Sequence, residues 1–426
     1  MALEQVSAEV WEMSPGPFDG HTHPRALDPI NKDDFLDLNG GFEGKSGVAE
    51  YTKVAFLSGI TGMLAMPNEQ ARVLDDTSEE RTELRAYPIA NIDRVTAMQG
   101  AISSQAHIPT GIHMGLDPVK AFHDEAKQRL NRPYLSKTFA EVSDECTSLK
   151  IYLAETTGGN NVAVEHATGV MEIWARTNPD KTVVLHVEGE DVAKVFDDLS
   201  AGKWGKEMPV HIAHISSRQE LEAVMQAKRE GMNVTCEVTP HHLSFNESLR
   251  KQIGGYGCMK PSLKPEEDRR FIIANLDQID MFASDCAPHR RSDKEGENPA
   301  FGVVNHTVML PLLMGMVEDG RLTMKELYDK MCVAPRRRFN IPDDDSHIRY
   351  STAGEYPAAS YDENTRVGYG FNPYAHERLA EKVKLVGWVL EAQAGNSYLD
   401  TQEDIEYLAT SYTHLIRPKN FGKGTL

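Results

Sequence analysis

Eight short apolar runs, rich in β-branched residues, constrain the fold of this chain more than any other feature of the sequence. Amphipathic segments lie between them, and the clearest, residues 217–231, has apolar residues at helical spacing and ends on Gly231. Strands that alternate with helices predict parallel pairing through βαβ units. The eight predicted strands lie within PFDGHTH (17–23), TGMLAMPN (61–68), HIPTGIHMG (107–115), LKIYL (149–153), TVVLHVE (182–188), VHIAHIS (210–216), NVTCEVTPH (233–241) and DMFASDCAPH (280–289).

The number of predicted strands favours an α/β fold in which they close into a TIM-like (β/α)8 barrel. Histidine, lysine and aspartate repeatedly lie at or just past the ends of these apolar runs. In a barrel the carboxyl ends of all strands converge on one face, so polar residues far apart in the sequence can meet there. An open, doubly wound sheet is the alternative, and the distribution of polar residues favours it less.

The character of the sequence changes beyond about residue 340. Residues 341–382 are polar and rich in turn formers, residues 382–392 predict an extended segment, and residues 403–412 predict a short helix. We therefore expect a barrel over residues 1–342. A reduced β or irregular extension over residues 343–426 would pack on it.

Composition narrows the possible partners and the compartment. The net charge of −19 argues against nucleic acid and anionic membranes, because like charges repel, but one basic pocket could still bind a small anion. The N-terminus shows no signal peptide, and no apolar run is long enough to span a membrane, so we expect a cytoplasmic protein. A homodimer is the assembly we expect, as the commonest one. Five scattered cysteines without a CxxC pair fit a reducing compartment: Cys146, Cys236, Cys258, Cys286 and Cys332.

Four histidines at strand ends are candidate metal ligands. His21 and His23 are two residues apart, so on a strand both imidazoles point to the same face and can grip one metal. His186 and His214 end two successive apolar strands at matching positions. His211 is predicted to face the other side of its strand and is the poorer candidate. The alternatives are surface histidines in a turn for the first pair and satisfied core histidines for the second.

A carboxylate and an amine complete this set. Asp285 follows an apolar strand, where a carboxylate is costly to bury unless it is paired or bound to metal; a helix N-cap is the alternative. Lys150 begins an apolar strand and could be a solvated edge residue. Four imidazoles and one carboxylate offer too little negative charge for two zinc ions. A buried lysine that reacts with CO₂ to form a carbamate would supply it.

The order and spacing of these motifs resemble the dihydroorotases, zinc-dependent cyclic-amide hydrolases of the amidohydrolase superfamily. The resemblance runs from about Gly16 to Pro342 and is greatest toward the dihydroorotase domain of the multifunctional pyrimidine-synthesis protein of animals. It is densest in HTHPR (21–25), MPN (66–68), LKIYLAET (149–156) and the run from VHIAHIS (210–216) through VTCEVTPHH to FASDCAPH.

The resemblance implies a fold and a site. The fold is the TIM-like barrel of metal-dependent hydrolases, with two Zn²⁺ ions bridged by carbamylated Lys150 and by a hydroxide. His21, His23 and Asp285 would bind the more buried ion, and His186 and His214 the second. The residues implied in substrate binding are Arg25, Asn68 and His289, which would hold an α-carboxylate, and Thr156 or Thr157 on a closing loop.

Each of these substrate-binding assignments has an alternative, and two motifs depart from the family. Arg25 could form a surface salt bridge, Asn68 could be a turn residue, and His289 could be a core histidine. The family often reads HVHLR and DHAPH, where this chain reads HTHPR and DCAPH, with Pro24 and Cys286 at the changed positions. Many relatives also build a small β-sandwich from both chain ends. Only about twenty residues precede His21 here, so we expect a reduced one or one built mainly by the C-terminal tail.

The activity implied is the reversible hydrolysis of L-dihydroorotate to N-carbamoyl-L-aspartate, a step of de novo pyrimidine biosynthesis. Asp285 would act as general base and then general acid around attack by a metal-bridging hydroxide. Other cyclic amidohydrolases, such as dihydropyrimidinases, hydantoinases and allantoinases, are the nearest rivals, and Arg25 argues against them. A non-catalytic scaffold for a carbamoyltransferase is the rival from another class.

Overall fold

The computed structural model describes residues 2–24, 48–66, 99–100, 102–116, 121–122, 129–156, 161–202, 205–289, 291–356, 373–375, 385–395 and 397–399. Two strands open the chain, β1 (Ala2–Ser7) and β2 (Val10–Ser14), and three lie near its end, β11 (His347–Tyr356), β12 (Leu385–Ala394) and β13 (Ser397–Leu399). Between them run eight strands: β3 (Phe18–Thr22), β4 (Gly62–Ala65), β5 (Thr110–Gly115), β6 (Ser148–Tyr152), β7 (Val183–His186), β8 (Val210–Ile212), β9 (Val234–Val238) and β10 (Met281–Phe282).

The eight central strands, β3 to β10, form a nearly closed parallel barrel. Each strand pairs in parallel with the next along the chain. Seven of the eight fall within a predicted apolar run, and β6 begins one residue before its run. The two ends of the sheet meet at an isolated bridge between Thr22 and Cys286. The amide of His23 also donates to the carbonyl of Cys286 at 3.0 Å. The prediction of a (β/α)8 barrel is therefore confirmed, and the open sheet is excluded.

The helices cover the outside of the barrel and lie between its strands. The predicted helix over 217–231 is observed at Arg218–Arg229, where Ser217 and Glu220 form a capping box and Gly231 adopts a φ of 83° just past the end. In the described part of the chain the helices are α1 (Val48–Leu57), α2 (Arg132–Glu141), α3 (Val164–Thr177), α4 (Asp191–Ala201), α5 (Arg218–Arg229), α6 (Pro240–Ser244), α7 (Glu247–Ile253), α8 (Glu266–Ala274), α9 (Arg291–Glu295), α10 (His306–Glu318), α11 (Met324–Tyr328) and α12 (Ala334–Arg338).

The barrel interior is apolar at one end and polar at the other. Phe339, just after α12, belongs to a buried apolar cluster and packs edge-on against the rings of His113 and His211, with centroids 5.4 and 5.7 Å away. Gly20 on β3 makes room for it, because a Cβ at that position would lie 2.9 Å from the Phe339 ring. The predicted ligands His21, His186 and His214 lie at or just past the carboxyl ends of their strands, the face that carries the sites of TIM barrels.

A second, five-stranded sheet joins the two ends of the chain. Its order is β1-β2-β11-β12-β13, and β2 pairs with β11 through contacts such as Met13 with Ile348. The predicted extended segment at 382–392 is confirmed over residues 385–392, which belong to β12, whereas residues 382–384 and the predicted helix at 403–412 lie outside the described residues. The division after residue 342 stays a prediction. No helix among the described residues is both long and apolar enough to cross a membrane.

Candidate metal centre

Three predicted ligands converge where β3 ends beside β10. The Nε2 atoms of His21 and His23 lie 3.1 Å apart, and Oδ1 of Asp285 lies 3.3 Å from the first and 3.0 Å from the second. Ligands held about 2.0–2.1 Å from a tetrahedral zinc lie roughly 3.3–3.4 Å from one another. This triangle therefore has nearly the dimensions of one face of a zinc coordination shell.

The second predicted pair lies at the ends of the neighbouring strands β7 and β8. Nδ1 of His186 is 2.8 Å from Nε2 of His214, and the two rings are almost perpendicular. His214 also joins the first group, since ligand atoms of His21, His214 and Asp285 all lie within 4.8 Å of one another. The structure thus brings five of the predicted metal ligands into one pocket, while their roles as ligands stay predictions.

The backbone is strained at two of these positions. His214 has a φ of 39° and Asp285 a φ of 46°, in the left-handed region that residues other than glycine rarely adopt. Such conformations cost about 1–3 kcal/mol each and cluster at functional sites, where the surrounding structure imposes them. In this pocket they turn an imidazole and a carboxylate toward the other ligands.

Burial favours the neutral form of three of these four histidines. It is the largest cause that lowers the pKa of His186, and it lowers the pKa of both His21 and His214 well below the usual value of 6.5. The positive charge of Lys150 lowers all three further. Neutral imidazole is the form that binds zinc, so these three histidines are in the protonation state that metal binding requires at neutral pH.

Lys150, on β6, has the environment that a carbamate-forming lysine needs. Its side chain is fully buried, and Nζ has no hydrogen-bond partner among the described residues. Burial lowers its pKa to about 8, although Glu237 and Asp285 partly oppose this effect. About a tenth of the amine is then uncharged at pH 7, and the uncharged amine is the form that can attack CO₂.

Sequence reasoning missed Glu237 and misplaced His211. Glu237 is 1% exposed, and its carboxylate pairs with Nδ1 of His21 and, at 3.0 Å, with Nε2 of His211. The prediction that His211 faces away from the site was wrong, because β8 ends at Ile212 and the positive φ of His214 breaks the alternation of side chains. An acid between apolar neighbours on a buried strand was the available signal for Glu237.

His241 was also missed as a neighbour of the site. It is fully buried at the start of α6, and its Nε2 lies 3.9 Å from Oδ2 of Asp285. Asn305 donates a hydrogen bond to the carbonyl of Ser284 at 2.5 Å, and its amide nitrogen lies 3.2 Å from Nδ1 of His241. The Pro-His-His sequence after β9 was the only signal that pointed to it.

The other predicted site residues are only partly described. Arg25, Asn68 and Thr157 lie outside the described residues, and Thr156 is half-buried at the edge of the described loop. His289 is buried, and its Nε2 donates to the carbonyl of Phe301 at 2.7 Å.

The two positions that depart from the family pattern are also within the described residues. Pro24 is buried directly after the histidine pair. The side chain of Cys286 is buried, and its carbonyl accepts hydrogen bonds from the amide of His23 and from the hydroxyl of Tyr51 at 2.7 Å. Cys286 thus takes part in closing the barrel through its main chain, which any residue could do.

Solved structures of other proteins share the fold of this barrel. The L-hydantoinase of Arthrobacter aurescens matches with a TM-score of 0.67 at 17% identity, covering 91% of this chain and 85% of the other. An inactive dihydroorotase-like domain of a CAD-like multifunctional protein from Chaetomium thermophilum matches with a TM-score of 0.62 at 16% identity, covering 91% and 94%. The chain has the TIM-barrel fold of the amidohydrolases.

The sequence is similar to dihydroorotases, which confirms the resemblance found in its motifs. It is 28% identical over 402 residues to the multifunctional protein CAD of Squalus acanthias, covering 94% of this chain but only 15% of that protein. It is 26% identical over 348 residues to the dihydroorotase of a Wolbachia strain from Drosophila simulans, covering 80% and 73%. No family model matches the chain. These relatives support a dihydroorotase or a related cyclic amidohydrolase.

Proposed function

We propose that the chain is a zinc-dependent dihydroorotase that interconverts L-dihydroorotate and N-carbamoyl-L-aspartate, a reaction of de novo pyrimidine biosynthesis. The observation that carries the proposal is the triangle of His21, His23 and Asp285, with sides of 3.0–3.3 Å, beside the His186–His214 pair. Similarity to proteins named dihydroorotases supports dihydroorotate as the substrate.

The donor set fits two zinc ions. His21, His23 and Asp285 would hold one ion, His186 and His214 the other, and a carbamate on Lys150 would lie between them. Nδ1 of His186 and Nε2 of His214 face each other at 2.8 Å, so either one of them carries a proton or both bind the same cation. Bound zinc would polarise the ring carbonyl and lower the pKa of water from 15.7 toward about 7.

Asp285 would move the proton. One of its oxygens, Oδ1, lies against His21 and His23 at the end of β3, while Oδ2 faces His241. We infer that Asp285 accepts the proton of the attacking water and delivers it to the ring nitrogen as the amide bond breaks. In the reverse direction the same carboxyl group would protonate carbamoyl aspartate for ring closure.

Substrate selection would depend on residues at the mouth of the barrel. Arg25 comes two residues after His23 and could form a bidentate pair with the α-carboxylate of dihydroorotate. Asn68 and His289 would hold the same carboxylate, and the loop with Thr156 and Thr157 would close over the substrate. Dihydrouracil and hydantoin lack this carboxylate, so a pocket built around Arg25 would favour dihydroorotate over them.

A substrate panel tests the assignment. Purified, zinc-loaded chain is assayed with dihydroorotate, dihydrouracil and hydantoin under the same conditions. Turnover of dihydroorotate alone is expected, and turnover of only the two uncharged rings would assign the chain to another cyclic amidohydrolase. No turnover of any substrate by metal-loaded chain would favour the non-catalytic scaffold. That role is disfavoured because all six proposed ligands are present: His21, His23, Lys150, His186, His214 and Asp285.

The assembly of the chain into a homodimer stays a prediction.

A further inference from the structure

Glu237 lies in the barrel interior beneath the candidate metal centre, and the proposed reaction gives it no part. A carboxylate that is 1% exposed on a strand of the core is costly unless it is paired. Both of its oxygens have partners: Oε1 pairs with Nδ1 of His21 and accepts the amide of His214 at 3.3 Å, and Oε2 lies 3.0 Å from Nε2 of His211. Because both oxygens have partners, the position of Glu237 is held by specific interactions.

The contact with Glu237 fixes the tautomer of His21. An ionised carboxylate only accepts hydrogen bonds, so Nδ1 of His21 must carry the proton and Nε2 must carry the lone pair. Nε2 is the atom that lies 3.1 Å from Nε2 of His23 and 3.3 Å from Oδ1 of Asp285. The carboxylate thus leaves His21 with its lone pair aimed into the triangle.

The hydrogen bonds that extend from Glu237 to the opposite end of the barrel are consistent with this direction. Nε2 of His211 donates to Glu237 at 3.0 Å, so Nδ1 of His211 accepts from the Thr235 hydroxyl at 2.9 Å. Arg338 can only donate, and its Nε donates to Oγ1 of Thr235 at 2.5 Å. Glu237 therefore accepts from both histidines in one consistent chain that ends at His21.

We propose that Glu237 is a positioning residue that holds His21 in the tautomer and ring orientation required to bind a divalent metal ion. This inference rests on the proposed function and deepens it. A carboxylate that receives the second N–H of a metal-binding histidine orients the ring and raises its basicity, and losing such a partner typically costs about 10–100-fold in metal affinity.

The other half of the site offers a matched control. Glu188 is the carboxylate near His186, but its Oε1 lies 3.7 Å from Nε2, beyond hydrogen-bond distance. Its side chain is 21% exposed and also faces Lys264 at 3.4 Å. Removing the charge of Glu188 should therefore affect zinc binding far less than the same change at Glu237.

Zinc titration against a competing chelator measures this difference. Glu237→Gln keeps the size of the side chain, but its amide can accept only one of the two N–H groups and directs its own N–H₂ toward the other. We expect Glu237→Gln to lose about 10–100-fold in affinity for the zinc ion that His21, His23 and Asp285 would hold, and to bind the other ion normally. Glu188→Gln should change either affinity by less than about threefold, as expected for a partly exposed ion pair. In a His23→Ala background, which already lacks that ion, Glu237→Gln should have no further effect.

The possible results separate the inference from the proposed function. A folded Glu237→Gln variant that binds both ions with wild-type affinity would overturn the inference and leave the function standing. If Glu237→Gln fails to fold, His211→Gln decides: weaker binding of the same ion supports the inference, and unchanged binding overturns it. A wild-type chain that binds no zinc would overturn the proposed function and this inference together.

Discussion

Replacing Lys150 with methionine is expected to stabilise the metal-free protein while removing the proposed bridge between the two metals. The ammonium group is fully buried and has no hydrogen-bond partner among the described residues. Burial lowers its pKa from 10.5 to about 8. Since one pKa unit corresponds to about 1.4 kcal/mol, the charged side chain costs the metal-free fold about 3 kcal/mol. Methionine fills a similar volume without a charge, so Lys150→Met removes that cost.

The pH dependence gives the sign of the effect. Below pH 8 the lysine is protonated in both the folded and the unfolded chain, so the full cost is present at pH 7. Between pH 8 and 10.5 the folded chain loses the proton first, and the cost disappears as the pH rises. Relative to Lys150→Met, the wild-type protein should therefore gain stability between pH 8 and 10.5. Above pH 10.5 the buried lysine should no longer make the wild type less stable than the variant.

Urea unfolding of both metal-free proteins at pH 7 and at pH 10 measures the difference. We expect Lys150→Met to be more stable by about 3 kcal/mol at pH 7 and the gap to shrink markedly at pH 10. Zinc-loaded wild type should be active and the loaded variant inactive. A gap that does not change with pH would refute the reasoning, because packing differences between methionine and lysine do not titrate.

Three further predictions follow from the site and the barrel core. Asp285→Ala should lower turnover by at least about 10²–10⁴-fold with an unchanged circular dichroism spectrum, and a near-normal rate would refute its role as proton carrier. Gly20→Ala should destabilise the barrel by about 1–3 kcal/mol in urea unfolding, because its Cβ would meet the ring of Phe339, and Phe339→Leu should restore part of the loss. Bound zinc should survive dialysis at pH 6, because His21, His186 and His214 have lowered pKa values and would still be neutral there. Loss of zinc as the pH falls through 6.5, where an ordinary histidine is protonated, would contradict this prediction.

The sequence predicted the barrel because its signal is local. Each strand is a short apolar run, and each lies next to its sequence neighbour, so the pattern and the chain order together specify the sheet. The five-stranded sheet is different, since β2 pairs with a strand more than 300 residues away and no local pattern sets that register. The hairpin of β1 and β2 supplies two of the five strands, so the sheet draws on both ends of the chain.

The site was predictable where a residue type alone suggests its chemistry. Histidines at strand ends, Lys150 and Asp285 are of this kind, and the structure brings most of them together. The error at His211 came from extending regular strand alternation past Ile212, where the strand ends. Glu237 was missed because its meaning depends on partners 216 and 26 residues away in the sequence, which only the closed barrel brings into contact.

Zinc content measured together with dihydroorotate hydrolysis tests the central claim most directly. Chain stripped with a chelator should be inactive, and adding zinc with bicarbonate should restore activity in proportion to occupancy, up to two ions per chain. Full dihydroorotate hydrolysis by chain that contains no metal would contradict a reaction centred on the pocket of His21, His186, His214 and Asp285.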